Sequence, residues 1–238
     1  MTVSLEESRL DLLNAESVMA QIDAAQIDLL FDRSAGLELR AVLHFMGQLA
    51  QVSKEELACE EMPRIFSLQK LVEVAISNLM RPPEVWSEIW RIVSRHLADV
   101  ASHHNVSIGL YAINCLKQLA MKFLEHEEVR QQETFGQVLL EPFEKLMKSK
   151  LASPEVKGLV VSSVDFMVEK RPGSIGAGWA QVFQILQLAA SEPKSNKEVL
   201  DAAFAIMKVA VASRTLQRAS TLYWLSAIAG LPPSASKL

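Results

Sequence analysis

The sequence predicts an all-α fold, arranged as an armadillo- or HEAT-like solenoid of helical repeats. Half of the 238 residues are hydrophobic, whereas only nine are glycine, nine proline and two tyrosine, a balance that favours helix over sheet. Four predicted helix starts, at Pro63, Asn105, Ser153 and Ser195, are separated by about 42, 48 and 42 residues, the interval typical of such repeats. A compact helical bundle is the alternative fold.

The N-terminal quarter contains three segments with weak to moderate helical periodicity, at 5–19, 26–31 and 37–51. After them, Ser53-Lys54-Glu55-Glu56 has the form of a capping box, in which serine and glutamate side chains bond the first N–H groups of a helix. A new helix is therefore predicted to begin at Ser53.

The central helices have clearer starts. Pro63 suits the first turn of a helix whose apolar face comprises Ile65, Leu68, Val72, Ala75, Ile76 and Leu79. Pro82 and Pro83 end that helix and begin another, with an apolar stripe of Val85, Trp86, Ile89, Trp90, Val93 and Leu97. Asn105 is the predicted N-cap of a helix over 106–124.

The C-terminal half continues the pattern. Glu141-Pro142 predicts the start of a short helix to residue 150, and Ser153-Pro154 the start of another, with Val156, Val160, Val164 and Met167 facing inward. Arg171-Pro172-Gly173 ends it, and 175–190 forms the next helix. Ser195-Asn196-Lys197-Glu198 is a second capping box, which opens a helix to residue 212.

No motif in the chain carries recognisable catalytic, cofactor or metal chemistry. The glycine-rich segment 173–178 lacks the strand and the terminal lysine of a phosphate loop and is interpreted as an interhelix turn with close packing near Trp179. His103-His104 has no further ligand at zinc spacing, and 126–130 begins like H-E-x-x-H but ends in arginine. Cys59 and Cys115 are predicted to be buried free thiols. The chain is predicted not to be an enzyme and to need no cofactor.

Charge and hydropathy indicate a cytoplasmic protein that does not bind nucleic acid. The formal net charge is −4, but residues 1–62 hold twelve acids and four bases, and the rest is mildly basic. No signal peptide and no apolar run of about twenty residues is present, so any membrane contact is expected to be peripheral. Lys145, Lys148 and Lys150 fit a contact with lipid headgroups or a partner, and they fit equally a helix C-terminus, where cations offset the dipole.

Three phrases occur in a fixed order: PRIFSLQKLVEVA at 63–75, WSEIW at 86–90 and LKQLAMKFLE at 116–125. Together they resemble the helical homology region that lies downstream of the exchange domain in large, brefeldin-A-inhibited Arf guanine-nucleotide exchange factors of the Golgi. The similarity is weaker at 27–57, 140–149, Gly178-Trp179 and 182–191. The family-motif residues, expected to be mainly structural, are Pro63, Phe66, Ser67, Leu68, Lys70, Trp86, Trp90, Leu116, Leu119, Met121, Lys122, Phe123, Leu124 and Trp179.

The resemblance implies a domain organisation and a function. Residues 22–212 are expected to form the helical repeat domain, best matched over 62–150, between an unmatched N-terminal helical lead-in at 1–21 and an unmatched tail at 213–238. The implied function is that of a non-catalytic regulatory segment in Golgi vesicle transport, peripherally associated with Golgi membranes, with an Arf-family GTPase, a membrane surface and other proteins as partners. The alternative is a general helical-repeat scaffold with no link to Arf. A stand-alone enzyme ranks last, because no catalytic constellation is visible.

Overall fold

The structure, a computed structural model, describes residues 2–21, 23–59, 61–125 and 134–191, together with 201, 202, 205, 206, 208 and 209. These residues contain no strand and form nine long helices: α1 (Thr2–Gln21), α2 (Ala24–Asp32), α3 (Leu39–Leu57), α4 (Phe66–Ser77), α5 (Pro83–Val100), α6 (Val106–Glu125), α7 (Phe135–Lys148), α8 (Pro154–Lys170) and α9 (Trp179–Ser191). Short 3-10 turns occupy Arg33–Gly36, Pro172–Ser174 and Gly176–Gly178. The prediction of an all-α fold is confirmed.

From α2 onward the helices form two layers. The helices α3, α5, α7 and α9 pack side by side in the first layer, and α2, α4, α6 and α8 pack side by side in the second. Each helix therefore makes its most extensive contacts with helices one or two places along the chain. This order is consistent with a stack of helical repeats, in which neighbours in sequence are neighbours in space. The described side chains of α1, from residue 9 to 21, are all exposed.

The starts of the second-layer helices follow the predicted interval. The helix α6 begins directly after Asn105, whose Oδ1 accepts a hydrogen bond from the backbone N–H of Ser107 at 3.0 Å. The helix α8 begins after Ser153, whose Oγ accepts from the N–H of Val156 at 3.3 Å. Both are N-caps of the expected kind. The fourth predicted start, at Ser195, lies outside the described residues, as does the near-match to a zinc motif at 126–130.

The predicted start of α4 at Pro63 is three residues too early. The helix begins at Phe66, and the backbone N–H of Ser67 in its first turn donates to Oε2 of Glu56 at 3.0 Å. A first-turn N–H has no partner within the helix, so a carboxylate there satisfies an otherwise free donor. Because this carboxylate comes from α3, the start of α4 depends on how the two helices pack.

The predicted helix start at Ser53 is wrong, because α3 runs without interruption through this position to Leu57. The side chain of Ser53 is fully buried, and its Oγ lies 2.9 Å from Nε2 of His96 on α5. The hydroxyl is thus engaged with a neighbouring helix and does not cap a new one. The other N-terminal helices were predicted correctly in type, with ends displaced by a few residues.

The predicted helix start at Pro142 is also wrong. The helix α7 begins at Phe135 and contains Pro142 in its interior. Proline has no N–H to donate to the carbonyl four residues earlier, which here is that of Val138. The indole Nε1 of Trp90, on α5, donates to this carbonyl at 3.0 Å and so replaces the missing bond. A side chain from the adjacent helix therefore helps α7 to tolerate its proline.

The helix predicted over 175–190 begins at Trp179, after two 3-10 turns. The preceding glycines let this connection lie directly on α7: a Cβ at Gly136 would lie 1.9 Å from the carbonyl oxygen of Ile175, and one at Gly178 would lie 2.6 Å from that of Gly136. Only glycine at both positions permits this approach. Close packing near Trp179 was predicted for the segment.

The core lies between the two layers and is continuous from α3 to α9. Most of the predicted inward positions are buried, but Ile76 is 39% exposed, and Ile65 and Val85 are only partly buried. Of the two cysteines, Cys115 is buried as predicted, whereas Cys59 is exposed. Cys59 lies two residues beyond the end of α3, in a connection that reaches the surface, so the prediction that it would be buried is wrong.

Candidate partner-binding groove

Lys70 of the first family phrase joins α4 to α2. The Nζ of Lys70 lies 2.8 Å from Asp28 and 2.7 Å from Glu73, and its side chain is only 11% exposed. The same ammonium lies over the rings of Phe31 and Phe66, at 5.5 and 5.7 Å from their centres. The hydrogen bonds to Asp28 and then to Glu73 raise the pKa of Lys70 above its usual value, so it stays charged. Leu68 and Ser67 are buried beside it, and Pro63 lies in the segment before the helix.

The two tryptophans of the second phrase belong to the core. Trp86 stacks on Phe123 with ring centres 4.4 Å apart and meets Phe135 edge to face at 5.1 Å. Trp90 meets Phe123 edge to face at 5.2 Å. Each tryptophan is 1% exposed, so neither is an exposed anchor for a partner. They join α5 and α7 of the first layer to α6 of the second.

The residues of the third phrase lie partly in the core and partly on the surface. Leu116, Leu119, Phe123 and Leu124 are buried, and Met121 is partly buried. Lys122 is exposed and lies 3.8 Å from Glu125. Trp179, in the later part of the chain, is 9% exposed, with its ring 5.9 Å from that of Phe183.

The three lysines at the end of α7 are all exposed but differ in their partners. Lys145 is 66% exposed and lies 3.9 Å from Glu141, whereas Lys148 forms a close ion pair with Glu144. Lys150 follows the end of the helix and is exposed. Only Lys145 lines the groove described next.

The candidate binding site is a groove between α5 and α7, on the outer side of the first layer. We call it the α5–α7 groove. It has a volume of about 800 Å³. Its walls carry Glu88, Arg91, Arg95 and Asp99 from α5, with Glu141 and Lys145 from α7; its other lining residues are Ser87, Trp90, Ser94, Ala98, Ser102, Val138, Pro142, Leu146, Ser149 and Leu151. The bond from Trp90 to the Val138 carbonyl crosses its floor.

The sequence interpretation missed the α5 side of this groove. Residues 88, 91, 95 and 99 recur at three- and four-residue spacing, so they share one face of α5. The periodicity that identified the apolar stripe also contained this charged stripe. What it could not supply was the position of α7 opposite.

Three partly or fully buried acidic groups elsewhere in the described structure have pKa values shifted toward the neutral form. Burial raises the pKa of the Cys115 thiol and of the Tyr111 hydroxyl, and it raises the pKa of the half-buried Asp165 carboxyl, so none of these shifts favours a nucleophilic anion. The Nε2 of His103 lies 3.2 Å from the carbonyl of Leu57, and its Nδ1 accepts from the N–H of Asn105. Among the described residues, no three His, Cys, Asp or Glu side chains gather around a metal-sized space.

In the described part of the chain, none of the helices has the length and apolar character needed to cross a bilayer. The two layers and the α5–α7 groove together describe a helical protein segment with a concave surface of mixed charge. That architecture is common to many stacked-helix proteins that bind other proteins.

Comparison with known proteins identifies the family. Residues 122–209 match the family model described as Mon2/Sec7/BIG1-like, HDS. The chain is 36% identical over 180 residues to brefeldin A-inhibited guanine nucleotide-exchange protein 1 of Arabidopsis thaliana and 35% identical over 178 residues to the protein of that name in Homo sapiens. It is 35% identical over 189 residues to brefeldin A-inhibited guanine nucleotide-exchange protein 3 of Arabidopsis thaliana.

These matches cover 76%, 75% and 79% of this chain, but 11%, 9% and 10% of the relatives. The chain thus spans about a tenth of the length of the curated relatives that it matches. The first match spans 180 of the 238 residues, and any stretch of that length in this chain contains residues 63–125. The three family phrases therefore lie within the matched region. The chain carries a Sec7-like HDS segment, which is distinct from the catalytic Sec7 domain, and the resemblance inferred from the sequence is confirmed.

Proposed function

We propose that the chain is a non-catalytic regulatory and scaffolding segment of a large Arf guanine-nucleotide exchange factor and acts in Golgi vesicle transport. The observation that carries this proposal is the match of about three quarters of the chain to brefeldin A-inhibited exchange proteins, together with the match of residues 122–209 to the HDS family model. The partners are an Arf-family GTPase and other proteins at a peripheral membrane surface. The location is the cytoplasmic face of the Golgi.

The packing of the family phrases supports a structural role for most of their residues. Trp86, Trp90, Phe123 and Leu68 are buried between the layers, where they set the spacing of neighbouring helices. In this proposal residues 22–212 form the HEAT- or armadillo-like unit, and the family motif preserves the shape of its surface rather than a reactive site. Residues 1–21 and 213–238 flank that unit.

The exposed lysines Lys145, Lys148 and Lys150 are the proposed membrane or partner contacts. All three are exposed near the end of α7. Lys148 contributes least, because Glu144 already neutralises it. Replacing Lys145 and Lys150 with glutamate is expected to reduce recruitment to anionic liposomes, whereas the same double change at Lys122 and Lys170, exposed lysines of α6 and α8, is the matched control.

The proposal is tested by sedimenting the purified chain with liposomes that carry Arf loaded with GTP or with GDP. Recruitment is expected with GTP-loaded Arf and not with GDP-loaded Arf. Nucleotide release from Arf should not accelerate as the chain is added, since no exchange activity is proposed. Equal and negligible recruitment by both forms would remove the link to Arf.

The alternative is a general scaffold whose groove binds a protein unrelated to Arf. The mixed charge of the α5–α7 groove favours it as a second candidate, because that groove has features suited to a peptide and none specific to a GTPase. A pull-down from cytosol separates the two: specific partners without any small GTPase among them would support the general scaffold.

A further inference from the structure

Residues 24–37, which comprise α2 and the 3-10 turn after it, bury little of their own surface. Among the described side chains of this segment only that of Ser34 is buried, and Ile27 and Phe31 are partly buried. Leu30 is 66% exposed. Burial of apolar side chains is the main force that holds a helix to a fold, so it stabilises this segment less than it stabilises α3 to α9.

The turn is held by two polar side chains from the end of α4. Asn78, which is 1% exposed, donates from Nδ2 to Oγ of Ser34 at 3.0 Å. The Nη2 of Arg81 donates to the carbonyls of Ser34, Ala35 and Leu37 at 3.3, 3.0 and 2.5 Å, and its Nε donates to Oδ1 of Asn78 at 2.6 Å. Hydrogen bonds from a charged donor are stronger than those between neutral groups. One guanidinium therefore supplies most of the polar attachment of the turn.

The helical part of the segment is held by one ion pair and one aromatic ring. The Nζ of Lys70 on α4 lies 2.8 Å from Asp28 of α2. The ring of Phe31 lies between that of Phe45 on α3, with centres 6.1 Å apart, and that of Phe66 on α4, with centres 6.3 Å apart. These contacts, like those of Arg81, are made by side chains.

Among the described residues, no backbone–backbone hydrogen bond joins residues 24–37 to α4. The segment can therefore leave α4 without breaking the backbone bonds of any helix in the stack. Local opening of this kind occurs where few apolar side chains are buried. The order of opening is set by the contacts of Lys70, Phe31 and Arg81.

We propose that residues 24–37 form a lid that opens from α4 as one unit while α3 to α9 stay folded, and that Arg81 and Lys70 are the positioning residues that keep it closed. Opening uncovers the ring of Phe45 and the shielded part of Phe66. Phe66 and Lys70 belong to the first family phrase, so the closed lid covers residues of that phrase. This inference does not depend on the proposed link to Arf.

Hydrogen exchange of the full chain, followed by mass spectrometry of its peptides, tests the lid. An isolated helix of nine residues is marginal in water, so the amides of α2 should exchange whenever the lid leaves α4. In the wild type, peptides from 24–37 should exchange at least about tenfold faster than peptides from 89–97 in α5. Arg81→Met, which keeps an unbranched side chain and removes the donors, should accelerate the lid about tenfold more and leave α5 unchanged.

The matched control is Arg91→Met, because Arg91 bonds to Glu88 within its own helix. It should leave the exchange of 24–37 unchanged. Asp28→Asn is a milder variant at an exposed carboxylate and should accelerate the lid about threefold. Raising the salt concentration from about 0.05 to 0.5 M should also accelerate the lid, and by less in Asp28→Asn than in the wild type, since salt screens the ion pair with Lys70.

Circular dichroism should show all three variants folded. Equal acceleration of 24–37 and of α5 in Arg81→Met overturns the proposal, because Arg81 would then support the whole fold rather than a lid. Unchanged exchange of 24–37 in both Arg81→Met and Asp28→Asn overturns it as well. So does wild-type exchange of 24–37 that is as slow as that of α5, since the segment would then open only when the whole chain unfolds.

Discussion

Replacing Trp90 with phenylalanine tests whether an α5 side chain stabilises the proline-containing helix α7. The indole Nε1 of Trp90 donates to the carbonyl of Val138 at 3.0 Å, and Pro142 cannot supply that bond from within the helix. Phenylalanine keeps most of the ring and removes the donor. The Val138 carbonyl then loses this side-chain donor.

The expected magnitude takes account of the exposure of Val138. An unsatisfied buried acceptor costs about 1–3 kcal/mol, but Val138 is 40% exposed and lies in the open groove, where water can reach. The lower end, about 1 kcal/mol, is therefore expected for the hydrogen bond alone. Loss of part of the indole ring adds a packing cost that has no connection to Pro142.

A double-mutant cycle separates the two costs. In Pro142→Ala the restored backbone N–H can bond the Val138 carbonyl, so Trp90→Phe should destabilise this background by about 1 kcal/mol less than it destabilises the wild type. Urea unfolding followed by circular dichroism measures each free energy. The control is Trp86→Phe, since the Nε1 of Trp86 has no hydrogen-bond partner among the described residues and its change should add to that of Pro142→Ala. A coupling of zero for Trp90, or an equal coupling for Trp86, would refute the reasoning.

Two further predictions concern packing and pH. Gly136→Ala should destabilise the fold by about 3 kcal/mol, because the new methyl group meets backbone atoms rather than a movable side chain. Gly47→Ala, where a Cβ would have nothing within 4 Å, should stabilise the fold by about 0.5–1 kcal/mol. Thermal unfolding of both variants measures the two effects, and an equal response would contradict the described contact. Burial lowers the pKa of His96 below its usual 6.5. The positive charge of Lys54 also lowers this pKa, whereas the negative charge of Asp99 raises it by less than burial lowers it. Below pH 6.5 the unfolded chain therefore binds a proton that the folded chain resists, and stability should fall as the pH decreases toward the lowered pKa. Urea midpoints at about pH 7.5 and 5.5 should show a smaller loss in His96→Gln than in the wild type, and equal losses would contradict the burial argument.

Local sequence signals predicted the helices whose ends are fixed by nearby atoms. Asn105 and Ser153 cap α6 and α8 through N–H groups two and three residues away, so the sequence contains both partners. Pro82 and Pro83 act through their own rings. In each of these cases the physical cause of the boundary lies within one helical turn.

The wrong helix starts have partners far along the chain. Ser53 bonds to His96, which is 43 residues away, and Val138 beside Pro142 bonds to Trp90, which is 48 residues away. The same limitation hid the α5–α7 groove, because Arg95 and Lys145 come together only when the first layer is assembled. Family phrases could be recognised without that assembly, since they depend on residue identity alone.

The most direct test of the account is the fraction of the chain that sediments with liposomes carrying GTP-loaded Arf, compared with GDP-loaded Arf. A regulatory HDS segment of an Arf exchange factor predicts a clear excess in the GTP state, with no acceleration of nucleotide release. The same small fraction in both states would contradict that account.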